Sequence, residues 1–539
     1  MAPNTSAQNP PDTKPPPINT SDVAVGRVDN VEDADVVKKH DVDDDILLAQ
    51  GHAPAMKRSF NLLGTLGLGF SITNSWVSYA SCFGQSLLYG GPQATVFGLI
   101  VACAVQWLII LGLAEQASAF PSSGDPSFVP GQYHFTYILA PKRYRRFASF
   151  AVGTISVLGW WVITCSGISN NVQCIIGMIL FAKPKYEPQN WHSYLLYMGL
   201  ILITLIPIFT IPQKHLGKWT EGCLAVSVLG FFIVTITILA MSDSYNHPSF
   251  ITTFDGTSGW PNGVAWVMSI GNAMYAFASM DAVIHVAEEM HHPGKALPRA
   301  MNLTMIIGLL TSVPFILAMM FVIKDLDAVR AARLPSLEVF HQATGSKSAA
   351  LGLQSLLVIV FYTCMPSQWI TCGRLTWAFS RDRGLPYSNY WNHISPSLGF
   401  PVRTTLLSAA FCVIYGLLYM ASNEAFNSII TTAVLGVNIS YAVPQAITFV
   451  HGRENHLPPR PFDLGKVVGY MCNAWTPLWV TTIGIFICFP NAIPVDTGSM
   501  NYVCVILGCM VVILVSLWYT VRRYFDGPAI DWELLGLDE

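Results

Sequence analysis

The chain has 539 residues, 52% hydrophobic and only 11% charged, with a formal net charge of −3. Soluble domains carry about 25% charged residues, so this composition, with a mean hydropathy of +0.45, argues against an ordinary soluble protein. The slight negative balance argues against a nucleic-acid partner, and long unbroken apolar runs argue against a β-barrel.

Residues 1–58 hold PPDTKPPP and then DADVVKKHDVDDD, with no sustained apolar period, and read as a disordered tail. No apolar stretch near Met1 resembles a cleaved signal, so the first span is expected to direct insertion. Beyond the tail, twelve spans are predicted at 60–82, 92–114, 147–168, 193–211, 221–241, 263–287, 302–323, 350–373, 403–420, 427–450, 474–490 and 501–521. Each is near the roughly 20 residues that a bilayer core requires. The expected organisation is an all-α polytopic membrane domain over 59–522, with a short tail over 523–539.

Lys142, Arg143, Arg145, Arg146, Lys214, Lys218, Arg381, Arg383, Arg460 and Lys466 fall in loops on the side shared by both termini. The opposite loops are poorer in Lys and Arg, so both termini are expected in the cytosol. The segment 325–345 is too polar to span and reads either as short helices forming a partial lid on the outer face or as a plain connection. The 12 cysteines sit mostly in apolar runs without a CxxC pair, so they read as small buried hydrophobes. No cofactor or metal motif is present, which also argues against a membrane enzyme.

Two spans carry unusual chemistry. The first, FNLLGTLGLGFSITNSWVSYASCF, places Gly64, Gly67 and Gly69 ahead of Ser71, Thr73, Asn74 and Ser75. Glycine and hydroxyl residues favour a helix break over 64–75, although the glycines alone also fit a close-packing face. The sixth span, GVAWVMSIGNAMYAFASMDAVIHVAEEM, suggests a break around Phe277-Ala278-Ser279 and ends in Asp281, His285, Glu288 and Glu289. An ionisable residue inside a span costs roughly 2.5 to 3.5 kcal/mol on insertion scales and usually serves a function. Interrupted helices at matching positions of two five-helix halves point to an inverted-repeat transporter.

Several segments resemble the fungal amino acid/choline permeases, a branch of the amino acid–polyamine–organocation superfamily. They are GLGFSITNSW (67–76), AEQASAFPSSG (114–124), GQYHF (131–135), LAPKRYRRFASF (139–150), SMDAVIHVAEEMHHPGKALPRAM (279–301) and FSRDRGLPYSNYWNHISPSLGFPVRTTLL (379–407). The resemblance implies a fold like the leucine transporter, two inverted five-helix repeats plus two extra helices, with substrate at the unwound centres of spans one and six. It implies proton-coupled uptake of an amino acid, 4-aminobutyrate or a choline-like amine. Carriage of a precursor or product of a specialised-metabolite pathway is the alternative, and a nutrient sensor on the same fold is the second. Asp125 to Pro130 interrupt the family pattern between Gly124 and Gly131.

The expected substrate contacts are Phe70, Ser71, Thr73 and Asn74 in span one, and Phe277, Ala278, Ser279 and Asp281 in span six. Phe277 is the candidate aromatic gate. Asp281, His285 and Glu288 follow i, i+4, i+7 spacing and line one helical face. Asp281 is expected to pair with a substrate ammonium or to accept the coupling proton, with His285 assisting. Glu288 and Glu289 are candidate gate residues, paired with Lys142, Arg143 or Arg299, and Glu115 is a second gate candidate. Trp160, Trp161 and Trp369 are candidates for an aromatic cage around a quaternary ammonium.

Overall fold

A computed structural model of the protein describes residues 60–120, 131–290, 292–421, 429–495, 500–528, 530 and 532. The expected tail over 1–58, the interruption at 125–130 and most of the segment 523–539 lie outside the described residues, as does the side chain of Glu288.

Every predicted span coincides with a helix. The elements are α1 (Leu62–Thr73), α2 (Ser75–Ala119), α3 (Gln132–Leu139), α4 (Arg145–Ala182), α5 (Asn190–Thr210), α6 (Leu216–Met241) and α7 (Asn262–Ala273). Two 3₁₀ segments, Met274–Phe277 and Met280–Glu289, complete span six. Then come α8 (Pro293–Val322), α9 (Leu326–Ala331), α10 (Pro335–Thr344), α11 (Lys347–Arg381), α12 (Val402–Gly416), α13 (Ile429–His451), α14 (Gly465–Ile487) and α15 (Val503–Val521). The protein is a polytopic all-α membrane protein: two halves of five spans, plus α14 and α15 as extra helices.

The 45-residue α2 contains parts of two spans. Its turn falls at Gly90 and Gly91, just before Pro92, where φ and ψ leave the helical region. Helix-breaking residues at membrane depth are tolerated only when neighbours satisfy the freed backbone groups. Here Asp255 N–H donates to Gly90 O at 3.4 Å and Gln93 N–H donates to Thr253 O at 3.2 Å. Gly91 has φ +65°, and a Cβ there would sit 2.8 Å from the Asp255 carbonyl oxygen, so the position requires glycine.

Burial sets the radial order. In the most apolar window of each span, 89% of residues are buried in span six and 17% in α15. Span six therefore runs through the centre and α15 lies at the rim. Leu202, Ile206, Leu229, Phe232, Ile236 and Val512 stay exposed on α5, α6 and α15, which is the surface expected where lipid is the solvent.

The break in span one falls at the end of the expected 64–75 range, and the glycines take no part in it. Gly64, Gly67 and Gly69 lie inside regular α1 and act as a packing face. A Cβ on Gly67 would meet the Thr220 carbonyl oxygen of α6 at 2.5 Å, and one on Gly69 would meet Val283 Cγ1 at 2.9 Å. The chain breaks only at Asn74, in the left-handed region (φ 38°, ψ 53°), a conformation that asparagine tolerates better than most residues. Span six breaks at Ala278, which is extended, and Ser279, which is left-handed (φ 68°, ψ 27°).

Gly67→Ala should therefore force α1 off α6 and destabilise the protein by about 1–3 kcal/mol, the usual penalty of overpacking. Gly222→Ala, on α6 where an added Cβ meets nothing within 4 Å, is the matched control and should leave the melting temperature unchanged or slightly raised. Thermal denaturation followed by size-exclusion chromatography measures both.

Candidate functional site

Asp281 is fully buried, and donors from four elements converge on it. Its Oδ2 accepts from Gln132 Nε2 of α3 at 2.8 Å, Trp160 Nε1 of α4 at 3.0 Å and His285 Nε2 at 3.2 Å. Its Oδ1 accepts from the Tyr441 hydroxyl of α13 at 2.5 Å. A buried carboxylate is tolerated only when its lone pairs are satisfied, and this cluster meets that condition without a substrate ammonium. His285, one turn further along, faces Asp281 as its i, i+4 spacing requires.

Glu289 and Glu115 form two further buried clusters. Glu289 lies 2.5 Å from Arg374 of α11, with both side chains about 1% exposed, and also accepts from Gln213 Nε2 at 2.8 Å. Phe60 N–H donates to the Glu289 carbonyl oxygen at 3.1 Å, tying the start of span one to the end of span six. The cation beside Glu289 is Arg374, where Lys142, Arg143 or Arg299 was expected: a buried carboxylate needs a desolvated cation, and Lys142, Arg143 and Arg299 stay exposed. Glu115 pairs with Arg453 at 2.5 Å and Arg460 at 2.8 Å. Gly469 leaves room for this, since a Cβ there would overlap Arg453 Nη1. Asp463, on the same loop and mostly exposed, has its carboxyl held below the usual range by the Gly465 N–H and then by Arg460.

All three clusters lie toward the face that carries Phe60 and Phe525, here called the terminal face. The short helix α3 closes it further. Tyr133 donates to Asp382 at 2.8 Å, and His134 sits 3.5 Å from Asp382. Burial, reinforced by the nearby Arg381, pushes the His134 imidazole well below the usual histidine range, so its contact with Asp382 is not an ion pair.

The opposite face is open. A cavity of about 320 Å³ is lined by α2, α4, α7, the α9–α10 segment and the residues before α15. Its floor includes Asn170, whose Nδ2 donates to the Tyr275 hydroxyl at 2.9 Å, while Ser166 bonds the same hydroxyl at 3.0 Å. Along α4, Trp160 touches Asp281 and Asn170 touches the cavity, about 15 Å apart at 1.5 Å per residue. Asp281 therefore sits on the terminal side of the span-six break and does not line the cavity. The 325–345 segment forms α9 and α10 and borders the cavity mouth.

The remaining predicted residues divide by neighbour. Ser71 Oγ bonds Leu68 O at 3.0 Å and Ser367 Oγ at 2.9 Å, facing α11. Thr73 bonds back to Gly69 O at 3.1 Å, and Asn74 Oδ1 accepts from Ser227 of α6 at 2.7 Å. The Phe277 ring packs on α8, where a Cβ on Gly308 would lie 3.3 Å from it. Phe70, Ala278 and Ser279 are buried. The three tryptophans aim their indole N–H groups at separate partners: Asp281 for Trp160, Thr376 at 3.1 Å for Trp161, and Thr204 at 3.1 Å for Trp369. Sequence reasoning missed Gln132, Tyr441 and Arg374. All three lie in recognisable spans or motifs, but only Arg374, a charge near the end of a predicted apolar run, gave a signal that could have been used.

Residues 62–515 match the family model described as amino acid permease. The chain belongs to the amino acid permease family. A choline transporter of Saccharomyces cerevisiae is 32% identical over 496 residues, covering 91% of this permease and 86% of the relative. A swainsonine transporter of Arthroderma benhamiae is 29% identical over 472 residues, covering 87% and 91%. A transmembrane transporter of Metarhizium robertsii is 29% identical over 477 residues, covering 87% and 92%. The permease is a membrane transporter of small organic compounds and not an enzyme.

Removing one partner of a buried ion pair leaves an uncompensated charge at a cost of about 3–5 kcal/mol. Arg374→Met should therefore lower the melting temperature strongly. The double variant Arg374→Met/Glu289→Met should recover most of the loss, and a double-mutant cycle on the melting temperature checks this.

Proposed function

We propose that this permease is a secondary transporter of a small amino compound, coupled to protons and working by alternating access. The observation that carries the reading is the pair of left-handed breaks, Asn74 in span one and Ser279 in span six, at matching places in the two halves. A broken helix presents free N–H groups on one side and free carbonyl groups on the other, so two breaks together suit a molecule with both a carboxylate and an ammonium. Backbone around Phe70–Asn74 and Phe277–Ser279 would hold it. The similarity to a choline transporter keeps a quaternary amine within the same class of substrate.

Asp281 is our candidate for the coupling group. As a carboxylate it accepts all four hydrogen bonds described above. Once protonated, it loses its charge and one acceptor lone pair, so the N–H contacts from Gln132 and Trp160 weaken, and the Tyr441 hydroxyl must turn round to accept if the proton sits on Oδ1. Those residues lie on α3, α4 and α13. Proton loading would thereby loosen the terminal face, and proton release on that side would reseal it. His285 Nε2, 3.2 Å away, can receive that proton only when the imidazole carries its hydrogen on Nδ1. On the Lys and Arg distribution, the terminal face is the cytosolic one, and the family resemblance supports uptake across a plasma membrane.

Uptake by a transport-deficient host should be saturable and collapse on adding a protonophore. Asp281→Asn should lower uptake at least about tenfold and flatten its pH dependence, because the amide keeps the shape and loses the proton site. Asp281→Asn transport at the wild-type rate with the wild-type pH profile would remove Asp281 from the coupling step.

A further inference from the structure

The cavity on the open face has a charge pattern that bears on which molecules enter. Among the described residues, no Asp or Glu lines it, and the charged groups that do are Arg330 and Arg333. Arg330 is committed. Its guanidinium binds the Asp255 carboxylate at 3.0 Å and the Asp327 carboxylate at 3.3 Å, and it also donates to the Asp255 carbonyl. Arg333 lies three residues further along, is exposed, and makes no ion pair among the described residues.

The neutral polar groups of the lining point the same way. Asn272 donates to Cys82 O at 2.8 Å, and Asn501 donates to Ile487 O at 2.6 Å. Asn491 accepts from the Tyr89 hydroxyl at 3.2 Å. Those groups already have partners inside the protein. Gln85 differs: its Nε2 is buried at the cavity wall beside the Tyr89 hydroxyl without a well-formed hydrogen bond. A buried donor left unpaired costs about 1–3 kcal/mol, so it calls for an acceptor that arrives from the cavity. The uncommitted groups are thus a guanidinium and an amide N–H, both donors.

We propose that Arg333 and Gln85 form a reception site for the substrate's carboxylate, making Arg333 a specificity residue that favours amino carboxylates over amines lacking an acid group. Arginine suits this task because its planar fork matches two carboxylate oxygens. A compound whose only charge is a quaternary ammonium meets a cation and an amide donor here, with no carboxylate opposite among the described residues. The cationic mouth also raises the local concentration of molecules with an anionic end. This inference rests on the transport reading for its biological meaning, but the binding chemistry is separable from it.

Matched ligand pairs isolate the carboxylate. Choline and glycine betaine share a trimethylammonium group and differ in a hydroxymethyl against a carboxylate. 4-Aminobutanol and 4-aminobutyrate differ in the same way. Equilibrium binding of all four to the purified full chain, for the wild type, Arg333→Ala and Arg333→Lys, reads the proposal directly. In the wild type, each carboxylate should bind more tightly than its alcohol. Arg333→Ala should weaken the carboxylates about tenfold, the usual scale of one charged hydrogen bond, and leave the alcohols unchanged. Arg333→Lys should restore part of the loss. Because Arg333 is exposed and unpaired, its variants should melt at the wild-type temperature. Three results would overturn the proposal: choline bound as well as glycine betaine, no carboxylate bound at all, or Arg333→Ala binding like the wild type. Uptake is measured in parallel. Carboxylate binding without uptake of any of the four compounds would sink the transport reading and leave the role of Arg333 standing on the binding data.

Discussion

A carboxylate cannot sit in the middle of an apolar bundle unless every neighbouring element helps to solvate it, and Asp281 imposes that condition here. Four donors from α3, α4, α13 and span six itself meet its two oxygens. The relative positions of those elements are fixed by this one group. The short helix α3 is too short to be stable alone, yet it is held at the terminal face through Gln132 and through Tyr133, which reaches Asp382. The closure of this face follows from satisfying a buried charge, and hydrophobic packing completes it.

The two breaks and the two ends of span six belong to one design. Ser279 in the left-handed region turns the chain so that Asp281 points at α4 and α13, away from the open cavity. Eight residues beyond Asp281, Glu289 meets Arg374, and its carbonyl receives the backbone N–H of Phe60. The start of span one and the end of span six are therefore joined at the terminal face, while their central residues are unwound. A helix pair anchored at one end and broken at its centre can tilt as two stiff rods, because regular segments resist bending and the break absorbs the φ/ψ change.

Most of the architecture was legible in the sequence, because span length and apolarity are direct consequences of bilayer thickness. The break in span six was legible from Asp281 and the small residues before it. The break in span one was legible only as the range 64–75. Gly64, Gly67 and Gly69 look the same in sequence whether a glycine loosens a helix or lets another backbone approach, and the nearness of α6 at Thr220 is a tertiary fact. The true break at Asn74 uses a residue that tolerates positive φ, a weaker signal than three glycines. Glu289 and Glu115 were legible as gate candidates, but neither their burial nor their partners were. Arg374 and Arg453 lie far along the chain, and only the fold brings them within 2.5 Å. Gln132 and Tyr441 are neutral, so nothing in their chemistry marked them as ligands of a distant carboxylate.

Asp281 and Glu289 share the segment Met280–Glu289, which constrains how the terminal face can open. Separating Glu289 from Arg374 strands two charges, whereas protonating Asp281 strands none, since a neutral acid needs fewer partners. The lower-cost sequence loosens the Asp281 cluster first. On the proposed coupling, the loosened segment would then swing on Ser279 and admit water to the Arg374 pair, which would separate only once solvated. In that order, neither carboxylate is left dry and unpaired at any step. The opposite face needs no such release, because its cavity is bounded by hydrogen bonds such as that of Asn170 to Tyr275 and holds no buried carboxylate among the described residues. The asymmetry puts the ionic lock on one face and the reception site on the other, with about 15 Å of α4 between them.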